Sequence, residues 1–395
     1  MSSRITLVVK ALLVGALLTY VFVTIQWRDA ITMTSPAGDE STVPGTIVGA
    51  WDGSEIRFQA QSSTLSGPRT LRPGRQADGS RIDVVPGIFT YFRNLDFGWF
   101  ALGAACFAVV VVFSGIRWWW LLRVNELGIG VLEAQRYTWI GLFFNNVVPG
   151  ATGGDLVKAI YIVRRSPAKR LEAGLSVVVD RLLGLLSLTL LGALVVLFFI
   201  DRFRVLAASI WLLIAAAALF GVLFFSRRVR RSLKLDRLLK MLPDRAQEFL
   251  ARIDQAVFLY RGHKKGIGLW VLGGMLSHSL AVLTVVCIAR GLNAGLPDAE
   301  YFVLVPVINI VSALPIAPNG WGVGEALYAN LFAQYGAVYL SDVGDAERIM
   351  RTRGVAVSLL FRVLTTMMSL VGGLLVLLGR ERLPGRGEPA APERP

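Results

Sequence analysis

A water-soluble domain has no use for six separate apolar runs of helix length. This chain has them at 11–27, 97–116, 182–200, 205–226, 266–289 and 355–379, and only Arg362 interrupts the last. A bilayer core is about 30 Å thick and is crossed by roughly 20 apolar residues in a helix. The expected class is therefore an all-α polytopic membrane protein. Composition agrees: 54% of the residues are hydrophobic and only 17% are charged, against about 25% in soluble domains. The net charge of +14 comes from 41 Lys+Arg against 27 Asp+Glu. Those basic residues flank apolar runs, which fits membrane loops and excludes nucleic acid as a partner. Cys106 and Cys287 both lie in apolar runs, so no disulfide framework or metal-finger spacing exists. The sequence indicates no cofactor and no metal.

Two further regions are apolar but broken. The stretch 137–154 carries Asn145, Asn146, Pro149, Gly150, Gly153 and Gly154, and 301–324 carries Pro306, Pro315, Pro318, Gly320, Gly322 and Gly324. Apolar half-helices follow at 156–163 and 326–340. Proline removes a donor and glycine loosens a helix. In a bilayer such backbone survives only inside protein or beside a wet cavity. Both regions read as re-entrant helix hairpins.

Lys and Arg set the threading. Segment 227–265, opened by Arg227 and closed by Lys265, holds 12 basic and 4 acidic residues and is expected on the cytoplasmic side. It reads as an amphipathic connector resting on anionic lipid headgroups. Arg4 and Lys10 place the N-terminus inside, and Arg380, Arg382 and Arg386 the C-terminus. Six spanning helices and two hairpins entering from opposite sides close this threading. Residues 1–27 are expected to form a signal-anchor, with a cleaved signal peptide as the other reading. Residues 28–94 form an extracytoplasmic insert with seven basic and seven acidic residues. There 46–51 and 55–61 read as strands turned by Asp52-Gly53, so the insert is expected to be β-rich. The transmembrane domain spans 95–379, and 380–395 reads as a disordered tail.

The informative pattern occurs twice. Pro149-Gly150-Ala151-Thr152-Gly153-Gly154-Asp155 and Pro318-Asn319-Gly320-Trp321-Gly322-Val323-Gly324-Glu325 each run from proline through glycines to a carboxylate that opens a half-helix. Asn146 and Asn309 precede the breaks, and Arg181 and Arg362 sit early in the helices downstream. The units lie about 170 residues apart in opposite predicted orientation, as in transporters built from inverted repeats. A helix N-terminus carries about half a positive charge and suits an anion. Gly153, Gly154, Gly322 and Gly324 let a ligand reach the backbone. Arg181 and Arg362 are candidates for binding phosphate, and Asp155 and Glu325 for balancing them, holding a cationic headgroup or carrying a proton. Capping alone would also account for both acids. Lys158, three residues after Asp155, is either part of the site or a surface ion pair with it. His278 reads as a proton relay or a bundle hydrogen bond. No Walker loop, HExxH, CxxC or G-x-S-x-G is present, so no enzyme is expected.

At 145–161, 177–188 and 314–331 the chain resembles the transmembrane region of lysylphosphatidylglycerol synthase/flippase proteins. The resemblance covers roughly 97–379. It implies a bacterial cytoplasmic-membrane protein that moves a phospholipid or lipid-linked headgroup between leaflets. The soluble synthase domain of the best-known members has no counterpart after Gly379. The chain departs from the family in the insert 28–94 and in Lys158, where arginine is expected. Two other functions stay open on the residues alone, an ion-coupled carrier of a small soluble anion and a non-transporting partner of an envelope-lipid or glycan enzyme acting through 28–94.

Overall fold

The computed structural model describes residues 3–61, 68–147, 153–225, 247, 260–313, 320–341 and 343–379. Most of the basic connector 227–265, the tail 380–395 and both proline-containing breaks, with Pro149, Gly150, Pro315, Pro318 and Asn319, lie outside them. The described chain is mainly helical, with one sheet.

Helix α1 (Ser3–Thr24) leads into six strands, β1 (Asp29–Thr34), β2 (Glu40–Val48), β3 (Ile56–Ala60), β4 (Arg69–Leu71), β5 (Gly74–Arg75) and β6 (Arg81–Val85). They form one antiparallel sheet in the order β4-β3-β2-β1-β6-β5. The expected strand pair around Asp52-Gly53 is the β2–β3 hairpin, with Gly45 opposite Ala60 and Val48 opposite Arg57. Alternation puts Ile31, Ile47, Ile56 and Phe58 into one buried cluster. Buried Asp29 ties the sheet to the next helix. Its carboxylate accepts from Ile47 N at 2.7 Å, Gly87 N at 2.8 Å and Thr90 Oγ1 at 2.6 Å. Three such bonds satisfy the charge without a cation.

The helices that follow are α2 (Ile88–Arg93), α3 (Phe97–Val124), α4 (Val131–Val147), α5 (Gly153–Arg165), α6 (Arg170–Val196) and α7 (Arg204–Phe225). After the connector come α8 (Lys264–Gly291), α9 (Asp298–Ser312), α10 (Val323–Gly336) and α11 (Ala346–Leu378). Four segments among the described residues are long and apolar enough to cross a membrane, namely Phe97–Val124, Pro167–Phe199, Lys264–Gly291 and Ala346–Leu378. Ala11–Thr24 and Arg204–Ala216 are shorter apolar helices.

The run 97–116, followed by Arg117 and three tryptophans, reads in sequence as a helix ending in an aromatic belt at an interface, and the structure corrects this. Arg117 and Trp118–Trp120 do not end their helix at an interface, because α3 continues to Val124. Trp118 is fully buried, and its indole N–H reaches Ser176 Oγ at 3.2 Å. The indole of Trp119 donates to the Ile129 carbonyl at 3.2 Å. Both rings therefore serve packing within the bundle.

The chain divides into two compact units. One comprises Met1–Cys106 and Leu283–Thr365, and the other Phe107–Val282 and Thr366–Pro395. The first glycine break belongs to the second unit and the second break to the first. In the unit of residues 107–282 the core gathers Trp118, Leu121, Ile140, Ile162 and Val177 from α3 to α6. In the other unit Ala30 and Val85 of the sheet pack on Ile349, early in α11.

Candidate functional site

Consider first the unit holding α4, α5 and α6. The side chain of Asn145 accepts from Gly154 N at 2.8 Å. Tyr137 stacks on Tyr161 at 5.4 Å between ring centroids, and Glu133 accepts from Arg165 Nε at 3.2 Å. The partner numbers rise on one helix as they fall on the other, so α4 and α5 run antiparallel as a helical hairpin. Close approach explains two glycines. A Cβ on Gly154 would overlap the Gly141 carbonyl, and a Cβ on Gly141 would meet the Lys158 stem. Acidic Asp155 in the first turn of α5, with Arg164 and Arg165 in its last, complements the helix dipole.

The first turns of α5 hand two charges to α6. Asp155 pairs with Arg181, both partly exposed. One turn on, Lys158 does not pair with Asp155 as a surface bridge. Its Nζ lies 3.5 Å from Asp180 Oδ2 and 4.2 Å from the centre of the Trp118 ring. Asp180 also accepts from Arg117 Nε at 2.8 Å. Arg117, Lys158 and Asp180 are all buried, so two cations share one carboxylate away from water. Sequence reasoning picked out Lys158 but missed Arg117 and the part Asp180 plays. The available signal was Asp180 itself, an acid inside an apolar helix that requires a cationic partner. The Asn146 side chain donates to Leu142 O of its own helix at 3.1 Å, and its neighbour Asn145 holds the break. His278 meets the Gly184 carbonyl at 3.0 Å, the bundle hydrogen bond of the two readings given above.

The unit holding α9 and α10 repeats the device. Tyr301 of α9 packs on Phe332 of α10 at 5.7 Å, Gly320 sits against Ser312, and Tyr339 just beyond α10 donates to Glu300. This pair is antiparallel as well. Gly320 and Gly322 have φ of +67° and +78°, a left-handed backbone that glycine alone adopts without strain. Gly322 is the N-cap of α10, and Glu325 Oε2 reaches back to its N–H at 2.8 Å. The other oxygen, Oε1, accepts from Arg362 Nε at 2.7 Å. Glu325 is 2% exposed. Capping and arginine binding are thus simultaneous, one oxygen to each. The Arg362 guanidinium also lies 4.1 Å above the Trp321 ring. Gly324 is buried beside Ser312 and Arg362. Half-buried Asn309 lies one turn before the end of α9, where its carbonyl accepts from Ala313 N at 2.9 Å. Helix α1 lines this unit too. Leu17 and Val14 abut Gly322, and Tyr20 donates to Asn330 at 2.7 Å.

Each break therefore brings together a helix N-terminus, a carboxylate in its first turn and an arginine from the next long helix. Among the described residues no group of His, Cys, Asp and Glu could hold a metal ion.

The model of the family described as the lysylphosphatidylglycerol synthase TM region matches residues 87–373. A UPF0104 membrane protein of Pyrococcus horikoshii is 22% identical over 314 residues, covering 73% of this chain and 89% of its own. Another, from Methanothermobacter thermautotrophicus, is 23% identical over 299 residues, covering 69% and 82%. No solved structure matches the chain.

Proposed function

The chain belongs to the lysylphosphatidylglycerol synthase TM-region family, and on that premise we propose that it moves a phospholipid or lipid-linked headgroup between membrane leaflets. The observation that carries this reading is the repeated pairing of a half-helix carboxylate with an arginine, Asp155 with Arg181 and Glu325 with Arg362. A bare guanidinium in a membrane interior costs several kcal/mol, roughly 2.5–3.5 on insertion scales. An internal carboxylate removes that cost while the site is empty. An arriving phosphate can then replace the carboxylate on the arginine and take the free N–H groups of the half-helix. The arginine is paired before, during and after passage. The displaced Asp155 or Glu325 is free to receive a cationic headgroup or a proton. On this reading the chain crosses the bilayer six times, and the two hairpins are re-entrant. It acts as a carrier, without covalent chemistry, in a bacterial cytoplasmic membrane with both termini inside.

The test is headgroup translocation in proteoliposomes, followed with a fluorescent phosphatidylglycerol bleached from one side. Arg362→Leu and Arg181→Gln are each expected to abolish protein-dependent translocation while the circular dichroism of the helices is kept. Undiminished rates in both folded variants would remove the arginines from the mechanism and leave the transport reading without its support.

A further inference from the structure

A polar cavity lies far from both glycine breaks in sequence, where the sheet meets α2. It has a volume of about 670 Å³ and is lined by residues that include Trp27, Arg28, Thr46, Gln59, Phe89 and Arg93. Its electrostatics are one-sided. Arg28 has a single long contact, to Gln61 at 3.4 Å, and exposed Arg93 has no ion-pair partner among the described residues. Asp29 also lines the cavity, but it is buried and its oxygens already accept three hydrogen bonds. Two guanidinium groups, a hydroxyl and amide side chains thus line one cavity with no free counter-charge among the described residues, a set suited to a phosphate-like anion.

Its place along the chain says which anion. Helix α1 ends at Thr24, and α3, an apolar helix of spanning length, begins at Phe97. Trp27 and Arg28 follow the first by three and four residues, and Arg93 precedes the second by four. At no more than about 3.5 Å per residue, each lies within roughly 14 Å of a helix end, at headgroup depth for a helix that crosses the bilayer. Beside the cavity runs an apolar strip. Phe22 touches Trp27 at 4.8 Å and Trp27 touches Phe89 at 6.0 Å between ring centroids, and Phe22, Val23 and Phe89 are all more than half exposed. A soluble anion would gain nothing from that strip. A lipid would lay its glycerol and upper acyl chain along it.

We propose that this cavity holds the anionic headgroup of a bilayer phospholipid, with Arg28 and Arg93 on the phosphate and Phe22, Trp27 and Phe89 against the chain. The site uses none of the residues placed in translocation and belongs to the insert side of the molecule.

The full chain, in phosphatidylcholine nanodiscs containing a trace of diazirine-bearing phosphatidylglycerol, would be irradiated and the adducts mapped by mass spectrometry. Adducts are expected on the peptides carrying Trp27 and Phe89. They should fall more than fivefold in Arg28→Gln/Arg93→Gln and persist in Arg28→Lys/Arg93→Lys. They should also fall in Thr46→Trp, which fills the cavity with both charges in place. Arg362→Gln is expected to leave them unchanged, so failure of the transport reading and failure of this one are separable. Equal labelling of wild type and Arg28→Gln/Arg93→Gln would overturn the proposal. So would loss of labelling when millimolar inorganic phosphate is present before irradiation, which would make the occupant a soluble anion.

Discussion

The half-helix of the first hairpin and that of the second carry an acid at the same place and keep it in different company. Asp155 and Arg181 meet where each side chain is about a third exposed, at 28% and 34%. Glu325 and Arg362 meet in a drier place, with the acid also capping its helix and the arginine stacked on Trp321. Three residues beyond the acid stands Lys158 in one unit and Tyr328 in the other, and just before the arginine stands Asp180 in one and Phe361 in the other. The buried ionic cluster of the first unit is thus replaced by aromatic side chains in the second. Both units keep the glycine break, the acid and the arginine. What the repeat retains is the acid–arginine pair, and what it lets vary is the packing that supports it.

The comparison implies that losses of stability and losses of transport separate. The largest loss of stability is expected for Asp180→Asn, which leaves buried Arg117 and Lys158 without a counter-charge. Removing one partner of a buried charge pair costs about 3–5 kcal/mol, readable by equilibrium unfolding of the purified protein under circular dichroism. Lys158→Met should cost less, since Asp180 keeps Arg117. A smaller effect of Asp180→Asn than of Lys158→Met would mean that the cluster is not the charge balance described here.

Glu325→Gln comes next. It keeps the shape but leaves one acceptor oxygen for two donors, so one hydrogen bond is lost and the other loses its charge, for a loss of about 2 kcal/mol in the same unfolding measurement. Asp155→Asn follows, at under about 1 kcal/mol, because its pair is partly open to solvent. Translocation should not follow that order. Both variants remove the carboxylate that the proposed exchange needs and should slow it to a similar degree. A transport defect that tracked stability instead would mean that the acids only hold their helices.

Much of this was readable before the structure, for definite reasons. Glycines, a cap-forming acid and a helix start are neighbours in sequence, so local chemistry marked Asp155 and Glu325 as residues of a first helical turn. The β2–β3 hairpin was legible in the same way, from Asp52-Gly53. The sheet's centre was not, because β1 pairs with β6, Ile31 opposite Val84, across more than forty intervening residues that carry no register signal. Arg117 was missed for a related reason. An arginine followed by three tryptophans looks like a helix end at an interface, and nothing local reveals a carboxylate 63 residues away. Of the two readings of Lys158, the surface pair with Asp155 fails although that acid, three residues earlier on the same helix, is the nearest one in sequence. The fold turns Lys158 toward α6 instead.

The smallest expected effect is also the most direct probe of the replacement. The Tyr328 hydroxyl is buried and finds no hydrogen-bond partner among the described residues, although the tyrosine stands where the first unit has a lysine bound to Asp180. An unsatisfied buried hydroxyl is a net cost, of about 1–3 kcal/mol relative to a paired one. Tyr328→Phe should therefore be neutral or slightly stabilising in unfolding, by up to about 1 kcal/mol, and leave translocation intact. That result, beside a clear loss for Lys158→Met at the matching position, would establish that one position does ionic work in one unit and plain packing in the other. If Tyr328→Phe instead reduced translocation without changing stability, the hydroxyl would act on substrate. The second unit would then have kept a polar function at this position and changed only its charge.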